Sequence, residues 1–199
     1  MSRSMAARIG AILPRELTAR LRALRALPAG ARRRYAVSLL LRRIGRTRLR
    51  RGGATPRLLF VCHGNIIRSV LAAALVRREA AQRGMALEAA SAGLEAIAGR
   101  PADPRAVTAA AELGIALDGH RAQPVTAQLL AASDYVIVMD YCNEAALVSR
   151  FPECAARAHL LAPGAAVPDP FTGSLDDVRR CAAQIAAAVA TLTSDLAGA

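Results

Sequence analysis

Hydrophobic positions in residues 56–199 alternate between short continuous apolar runs and longer stretches with helical spacing. A short apolar run bounded by turn residues is typical of a buried strand, and apolar positions three and four apart are typical of an amphipathic helix. This alternation predicts an α/β fold, in which a parallel sheet is covered by helices on both faces. Strands are predicted near Leu58–Val61, Leu87–Ser91, Tyr135–Met139 and His159–Leu161, and helices near Ser69–Arg83, Pro104–Leu113, Thr126–Ala131, Asn143–Ser149 and Leu175–Leu196.

Residues 1–55 follow a different pattern and are predicted to form an Arg-rich helical extension ahead of a domain at 56–199. Leucines at helical spacing predict one amphipathic helix at about Pro14–Leu27. A second is predicted at about Ala31–Ile44, after a break that begins at Pro28. A short linker is then predicted at Gly52, Gly53 and Pro56.

The positive charge of the chain is concentrated in this extension. Residues 1–55 contain 15 Arg and one acid, Glu16, for a net charge of +14, whereas residues 56–199 contain 12 Arg and 14 acids, for −2. Four interpretations fit: an anchor on an anionic membrane surface, a nucleic-acid-binding arm, a docking segment for a partner protein, or a solvated hairpin packed on the domain by its leucines. The single aromatic residue, Tyr35, argues against nucleic acid. The Arg-rich, acid-poor N-terminus also resembles an organelle transit peptide.

Composition narrows the class of protein and its location. Hydrophobic residues make up 54% of the 199 residues, which indicates a globular protein. No apolar stretch approaches the roughly 20 residues that a membrane span needs. The four cysteines lack the paired spacing of a disulfide scaffold or a zinc site. Cysteines without disulfide spacing are typical of reducing surroundings, so we expect a cytoplasmic protein, peripheral at the membrane if the extension binds there.

The segment Leu58–Ser69 carries the pattern of a reactive site. A strand-type run ends in Cys62, a short loop containing Gly64 follows, and Arg68 precedes an alanine-rich helical stretch. Unpaired backbone N–H groups at a helix N-terminus favour an anion there, and an arginine binds phosphate with two parallel hydrogen bonds. The pattern therefore predicts a phosphate held over a nucleophilic Cys62. The alternative from this pattern alone is a small buried cysteine at the end of a strand.

The loop Cys62-His63-Gly64-Asn65-Ile66-Ile67-Arg68-Ser69 resembles the phosphate-binding loop of low-molecular-weight protein-tyrosine phosphatases of the bacterial type, whose signature is C-x-G-N-x-x-R-S. The resemblance covers about residues 56 to 199. It implies a doubly wound, flavodoxin-like sheet of four parallel strands in the order 2-1-3-4, with helices on both faces. Further similarities follow in the order of that family: Ser91-Ala92-Gly93, Pro101-Ala102-Asp103-Pro104, Gly119-His120-Arg121-Ala122, Asp134–Asp140 and Pro168-Asp169-Pro170-Phe171.

The resemblance implies a hydrolase that cleaves phosphotyrosine, or a related phosphomonoester, through a phosphocysteine intermediate, without cofactor or metal. Cys62 is then the nucleophile, Arg68 binds the phosphate, and Asp169 is the general acid and base. Asn65, Ser69 and His120 are expected to support the shape of the loop. The residues expected to contact the substrate are His63, Gly64, Asn65, Ile66, Ile67, Ser69, Ile97 and Phe171.

The expected substrate pocket lacks an aromatic residue after Gly93. Leu94, Ile97 and Phe171 are therefore expected to clasp a phenyl ring by apolar contact, with weaker stacking. This resembles the bacterial members linked to polysaccharide export. It implies a tyrosine-phosphorylated protein as partner, such as an autophosphorylating tyrosine kinase of that system.

Two positions depart from the family pattern. Ile67 stands where many members have a second cysteine, so a protective disulfide with Cys62 cannot form at that position. We therefore expect peroxide to inactivate the protein less reversibly. Val70 replaces a proline that is common after the Arg-Ser pair, which removes a preorganised residue from the first turn of the helix.

Two other functions compete with phosphatase activity. Thiol-dependent arsenate reduction uses the same fold and loop, but it needs further redox cysteines close together on a mobile segment. Cys142 and Cys154 are 12 residues apart, and these two and Cys181 are expected in the core. The second alternative is a non-catalytic phosphate-binding module whose working part is the basic extension. The presence of Cys62, Arg68, Ser69 and Asp169 together argues against it.

Overall fold

The alternating pattern forms a single four-stranded sheet with helices on both faces. The computed structural model describes residues 15–33, 35–36, 55–162 and 166–198. The strands are β1 (Arg57–Cys62), β2 (Glu88–Gly93), β3 (Tyr135–Val138) and β4 (Ala158–Leu160). The helices are α1 (Arg15–Ala26), α2 (Arg68–Gln82), α3 (Pro104–Glu112), α4 (Ala127–Ala131), α5 (Tyr141–Arg150) and α6 (Leu175–Gly198).

Each strand and helix predicted within residues 56–199 is present, and its ends lie within two residues of the predicted ones. The turn chemistry explains several of these ends. Asp103 caps α3 and is followed by Pro104 at the first helical position, and Thr126 and Asp140 cap α4 and α5 with their side chains. The 3₁₀ helix Pro152–Arg157, which connects α5 to β4, was not predicted.

All strands of the sheet are parallel, and their order is β2-β1-β3-β4, which confirms the expected 2-1-3-4 topology. In the register of β1 with β2, Cys62 lies beside Gly93, and in the register of β1 with β3, Val61 lies beside Val138. Ligands of doubly wound sheets bind at the carboxyl ends of the strands, where the strand order reverses. Cys62 ends β1, one of the two inner strands, and so lies at that edge.

The core is divided by the sheet into two hydrophobic clusters. Leu58, Phe60 and Cys62 belong to the cluster beneath α2, α3 and α6, whereas Leu59 and Val61 belong to the cluster beneath α5. This alternation follows from the two-residue period of a strand that is buried on both faces. Helices therefore cover β1 on both faces up to Cys62, where the strand ends.

The extension packs on the α5 side of the sheet. Residues 29–33 and 35–36 are helical, whereas the rest of the predicted second helix, at 37–44, and the predicted linker glycines at 52 and 53 lie outside the described residues. Ala23 and Tyr35 are buried in the same cluster as Leu59 and Val61.

The predicted packing by leucines is only partly observed. Leu17 and Leu21 are 44% and 36% exposed, and Leu24 is half-buried. Ala23 is fully buried in the cluster beneath α5, and Leu24 and Leu27 pack against that cluster while partly buried. In the part of the chain that the structure describes, none of the helices has the length and apolar character to cross a membrane.

Candidate active site

The cysteine thiol lies where the sheet meets a helix N-terminus, as the sequence pattern predicts. Cys62 ends β1, residues 63–67 form a loop, and α2 begins at Arg68. The backbone N–H of Asn65 points at the Cys62 Sγ at 3.3 Å, and the Ser69 Oγ lies 3.1 Å from the same sulfur. Ser69 Oγ already accepts a hydrogen bond from the Asn65 side-chain amide at 2.9 Å, so its own hydrogen is available for the sulfur. Both contacts stabilise a thiolate.

Asn65 holds the loop in shape through every polar atom of its side chain. Its Nδ2 donates to Ser69 Oγ and to Ser91 Oγ, both at 2.9 Å, and its Oδ1 accepts from the Gln123 backbone N–H at 3.0 Å. His120 Nε2 lies 2.7 Å from the Asn65 carbonyl oxygen and donates to it. Asn65 adopts a positive φ of 55°, a conformation that asparagine tolerates better than most residues. Ser91 and Gln123 also belong to this network, although neither was predicted to support the loop.

Gly93 explains why the loop can curl against β2. A Cβ at this position would lie 2.7 Å from the His63 carbonyl oxygen and 2.9 Å from the Asn65 backbone nitrogen. No side chain fits there without displacing the loop backbone. The close approach also allows the backbone N–H groups of Leu94 and Glu95 to donate to the carbonyls of Cys62 and His63, at 3.0 and 2.9 Å.

The guanidinium of Arg68 is 2% exposed and is held by two carboxylates. Its Nη1 donates to Asp140 Oδ2 at 2.5 Å and to the Val167 carbonyl oxygen at 3.2 Å, and its Nη2 donates to Asp169 Oδ2. Burial acts to lower the pKa of Arg68, but the charges of Cys62 and the two aspartates outweigh burial and raise that pKa. The arginine is therefore a permanent, oriented cation beside the thiol.

Asp140 is the main site residue that sequence reasoning missed. It follows the carboxyl end of β3, the neighbour of β1, and it caps α5 by accepting from the Asn143 backbone N–H at 2.6 Å. One carboxylate oxygen thus anchors the helix and the other orients Arg68. A signal was present, because a polar residue directly after a central parallel strand lies at the same edge of the sheet as Cys62.

These groups open into a cavity of about 230 Å³. Asp169 is 42% exposed at one side of the cavity, and Ile97 and Phe171 are 66% and 48% exposed at its mouth. Of the predicted site residues, Asn65, Ser69 and His120 do not line the cavity, and their hydrogen bonds hold the shape of the loop that lines it. The lining residues are Cys62, His63, Gly64, Ile66, Ile67, Arg68, Glu95, Ile97, Arg100, Asp169 and Phe171, of which Glu95 and Arg100 were not predicted.

The other three cysteines are free and differ in exposure. Cys154 and Cys181 are buried, as expected, but Cys142 is exposed near the start of α5, so its expected place in the core is wrong. Burial raises the pKa of Cys181 to about 12, which keeps it a thiol at neutral pH. Among residues with described positions, no group of three His, Cys, Asp or Glu side chains is arranged to hold a metal ion.

The fold is a doubly wound parallel sheet, and a cysteine and an arginine lie around one loop at a helix N-terminus, where anions bind. These features define a class of α/β proteins that bind phosphate groups. The family model described as "Low molecular weight phosphotyrosine protein phosphatase" matches residues 57–198, and the chain belongs to this family.

Relatives and solved structures agree with this assignment. The chain is 42% identical to the probable low molecular weight protein-tyrosine-phosphatase EpsP of Ralstonia nicotianae over 95 residues. These residues are 48% of this chain and 63% of EpsP, so the chain matches less than two thirds of the length of that relative. It is 33% identical to a protein-arginine-phosphatase of Bacillus subtilis over 60% of this chain and 82% of that protein. The structure of a YwlE mutant from Bacillus subtilis superposes with a TM-score of 0.68 at 31% identity, covering 71% of this chain and 98% of the other.

Proposed function

We propose that the protein is a phosphatase that hydrolyses phosphotyrosine, or a related phosphomonoester, in a phosphorylated protein. Cys62 is the nucleophile, Arg68 binds the phosphate, and Asp169 is the general acid and base. The observation that carries this proposal is the convergence of these three side chains on one cavity that is rimmed by apolar groups.

In the first step the Cys62 thiolate attacks phosphorus. A sulfur–phosphorus bond forms and the phosphorus–oxygen bond of the ester breaks, while protonated Asp169 gives its proton to the departing oxygen. The fork of Arg68 and the N–H groups of the loop at 63–68 carry the negative charge of the transferred phosphoryl group. The phosphate takes the place of Asp169 on Arg68 Nη2, and this exchange frees the carboxyl group for proton transfer.

In the second step a water molecule attacks the phosphocysteine. The Asp169 carboxylate accepts a proton from this water, the sulfur–phosphorus bond breaks, and inorganic phosphate leaves. Hydrogen bonds from the Ser69 hydroxyl and the Asn65 backbone N–H, which already contact the sulfur, stabilise the departing thiolate. The same two contacts therefore stabilise the nucleophile before the reaction and the leaving group after it.

The rim of the cavity favours an aryl ester. Ile97 and Phe171 stand exposed at the mouth of the cavity, where their apolar side chains can contact the faces of an aromatic ring. We infer that the partner is a tyrosine-phosphorylated protein, for example an autophosphorylating kinase of polysaccharide export.

The test is phosphate release from three substrates: para-nitrophenyl phosphate, a phosphotyrosine peptide and a phosphoarginine peptide. We expect turnover of the first two, loss of turnover in Cys62→Ser, and a strong reduction in Asp169→Ala. Cys142→Ser removes an exposed thiol outside the cavity and is the matched control. Equal background rates in all four proteins would refute phosphatase activity, and turnover of phosphoarginine alone would refute the aryl substrate. Arsenate-dependent oxidation of thioredoxin would instead favour arsenate reduction.

For the extension, we propose attachment to an anionic membrane surface. Leu17, Leu21 and Arg25 are exposed and lie four residues apart, which places them along one face of α1. Apolar and cationic groups on one helix face are the features that bind such surfaces. The full chain should sediment with phosphatidylglycerol vesicles but not with phosphatidylcholine vesicles, and Leu17→Gln with Leu21→Gln should reduce the bound fraction. Equal binding to both kinds of vesicle, or no binding, would contradict this proposal.

A further inference from the structure

One arginine outside the cavity links the phosphate-binding loop to the segment that contains Asp169. Arg105 lies in the first turn of α3, and its side chain is half-buried. Its Nη2 donates to the Phe171 carbonyl oxygen at 3.0 Å, and its Nη1 donates to the Gly173 carbonyl oxygen. Both carbonyls belong to the segment that follows Asp169.

The other side of Arg105 is locked to Asp103. The Asp103 Oδ1 accepts from the Arg105 backbone N–H and from its Nε, both at 2.9 Å, and the Oδ2 accepts from Nη2 at 2.7 Å. The backbone N–H of Asp103 in turn donates to the carbonyl of Ile66 at 2.9 Å. Ile66 lies in the middle of the phosphate-binding loop. An unbroken series of hydrogen bonds thus joins that loop to the segment of Asp169.

The segment that carries Asp169 depends on such contacts because it has no regular structure of its own from 166 to 170. At its start, Val167 is held by its backbone N–H, which donates to the Met139 carbonyl at 2.9 Å, and by its carbonyl, which accepts from Arg68. After Asp169, the contacts from outside the segment to the Phe171 and Gly173 carbonyls come from Arg105. Asp169 lies between these two anchors, and its Oδ1 accepts from the Phe171 backbone N–H at 3.2 Å.

We propose that Arg105 is a positioning residue for proton transfer, which holds the Asp169 carboxyl at its working distance from the phosphate-binding loop. The proposal rests on the proposed function of Asp169 as general acid. Without Arg105, the segment after Asp169 loses its second anchor, while the thiol keeps its contacts to Ser69 and Asn65, and Arg68 keeps its contacts to Asp140 and the Val167 carbonyl. Phosphate binding and sulfur attack then persist, and protonation of the leaving oxygen fails.

Leaving groups that differ in their need for a proton separate this role from a general loss of structure. Phenolate from phenyl phosphate leaves only with a proton, whereas 2,4-dinitrophenolate leaves without one. The measurement is kcat/KM for both esters, since this ratio reports the step in which the ester bond breaks. A displacement of a catalytic group by about 1 Å can cost about 100-fold, so we expect Arg105→Met to lose between about 10- and 100-fold on phenyl phosphate. On 2,4-dinitrophenyl phosphate it should lose less than about threefold.

Four further proteins complete the experiment: Arg157→Met, Arg105→Lys, Asp169→Asn, and the double variant of Asp169→Asn with Arg105→Met. Arg157 also donates to two backbone carbonyls, those of Leu130 and Ser133, but at the opposite end of β3. Arg157→Met should therefore leave kcat/KM unchanged for both esters. Arg105→Lys keeps the charge and one carbonyl bond, and should fall between wild type and Arg105→Met. If Arg105→Met folds poorly, the values of kcat/KM for Arg105→Lys on the two esters provide the test. The double variant Asp169→Asn with Arg105→Met should be no slower than Asp169→Asn.

The outcomes also separate this proposal from the function on which it rests. If Asp169→Asn loses activity selectively on phenyl phosphate but both Arg105 variants lose equally on the two esters, or not at all, the positioning role is refuted. An additional loss in the double variant would refute it too. If Asp169→Asn itself shows no selectivity between the esters, the assignment of the general acid fails instead.

Discussion

The hydroxyl of Tyr35 donates a hydrogen bond of 2.8 Å to Glu144 Oε2, and both residues are completely buried. This contact joins the extension to helix α5 across 109 positions of the chain. Arg20 Nε lies 3.6 Å from the same oxygen, and its guanidinium stacks over the Tyr141 ring with 5.4 Å to the ring centroid. A buried carboxylate is tolerated only with such partners. The extension therefore satisfies a charge that the domain itself buries.

Tyr35→Phe should lower the free energy of unfolding by about 1–2 kcal/mol, because it removes a hydrogen bond to a buried, charged acceptor without creating a cavity. The measurement is urea unfolding followed by circular dichroism. Arg33→Gln, on the exposed side of the same helical segment, is the control and should change stability by less than about 0.5 kcal/mol. Equal midpoints for wild type and Tyr35→Phe would show that the contact contributes nothing.

Asp140→Asn should lower kcat/KM for para-nitrophenyl phosphate by about tenfold or more, since a hydrogen bond to a charged group contributes about 1.5–3 kcal/mol. Asparagine still caps α5, so stability should change little. Asp140→Ala loses the cap as well and should cost about 1 kcal/mol more in unfolding free energy. If Asp140→Asn turns over at the wild-type rate, the carboxylate does not orient Arg68.

Acid should weaken the Asp103–Arg105 pair. The hydrogen bond from the Arg105 side chain lowers the pKa of the Asp103 carboxyl below its ordinary value, and burial only partly opposes this effect. A carboxylate whose pKa is lower in the folded protein stabilises it above the ordinary pKa of about 3.9, and this contribution disappears as the pH falls through the lower folded value.

Wild type should therefore exceed Asp103→Asn in unfolding free energy by about 1 kcal/mol at pH 6, and the difference should shrink toward zero near pH 2. Asp118→Asn, which changes an exposed carboxylate nearby in sequence, is the control for charge alone. A difference between wild type and Asp103→Asn that stays constant over this pH range would contradict the role of the ionised pair.

Peroxide should inactivate the wild-type protein with only partial recovery on treatment with thiol. Ile67 is buried in the loop where a neighbouring cysteine would trap the Cys62 sulfenic acid as a disulfide. Ile67→Cys should regain most of its activity, and mass spectrometry should find sulfinic or sulfonic acid at Cys62 in wild type only. Full recovery of wild type, with a disulfide at Cys62, would overturn this expectation.

Much of the fold was predictable from local pattern. β1 and α2 are strongly apolar or alanine-rich and bounded by clear turn residues, and they formed where predicted. The 3₁₀ helix at Pro152–Arg157 was missed because such short helices have no distinctive hydrophobic period. Cys142 was misplaced because a cysteine in a helical pattern does not reveal which face of the helix the core will cover.

The candidate site divides in the same way. Residues of the loop Cys62–Ser69 are neighbours in sequence, so their spacing already implied a shared anion site. The loop also has partners from other strands and turns, namely Asp140, Ser91 and Gln123. Arg105 donates to the carbonyl of Phe171, which is 66 positions away in the sequence. Such partners depend on strand order and register, which local spacing does not contain.

The sequence by itself determined the alternation of strands and helices, the thiol at a strand end, and a loop before a helix N-terminus whose chemistry predicts anion binding. These features follow from hydrophobic period and backbone chemistry within a few residues. Only the tertiary structure decided that Arg68 is held by Asp140, that Arg105 anchors the segment after Asp169, and that Tyr35 of the extension meets Glu144. Those contacts exist because packing the sheet brings distant residues together, where burial makes each polar group require a partner.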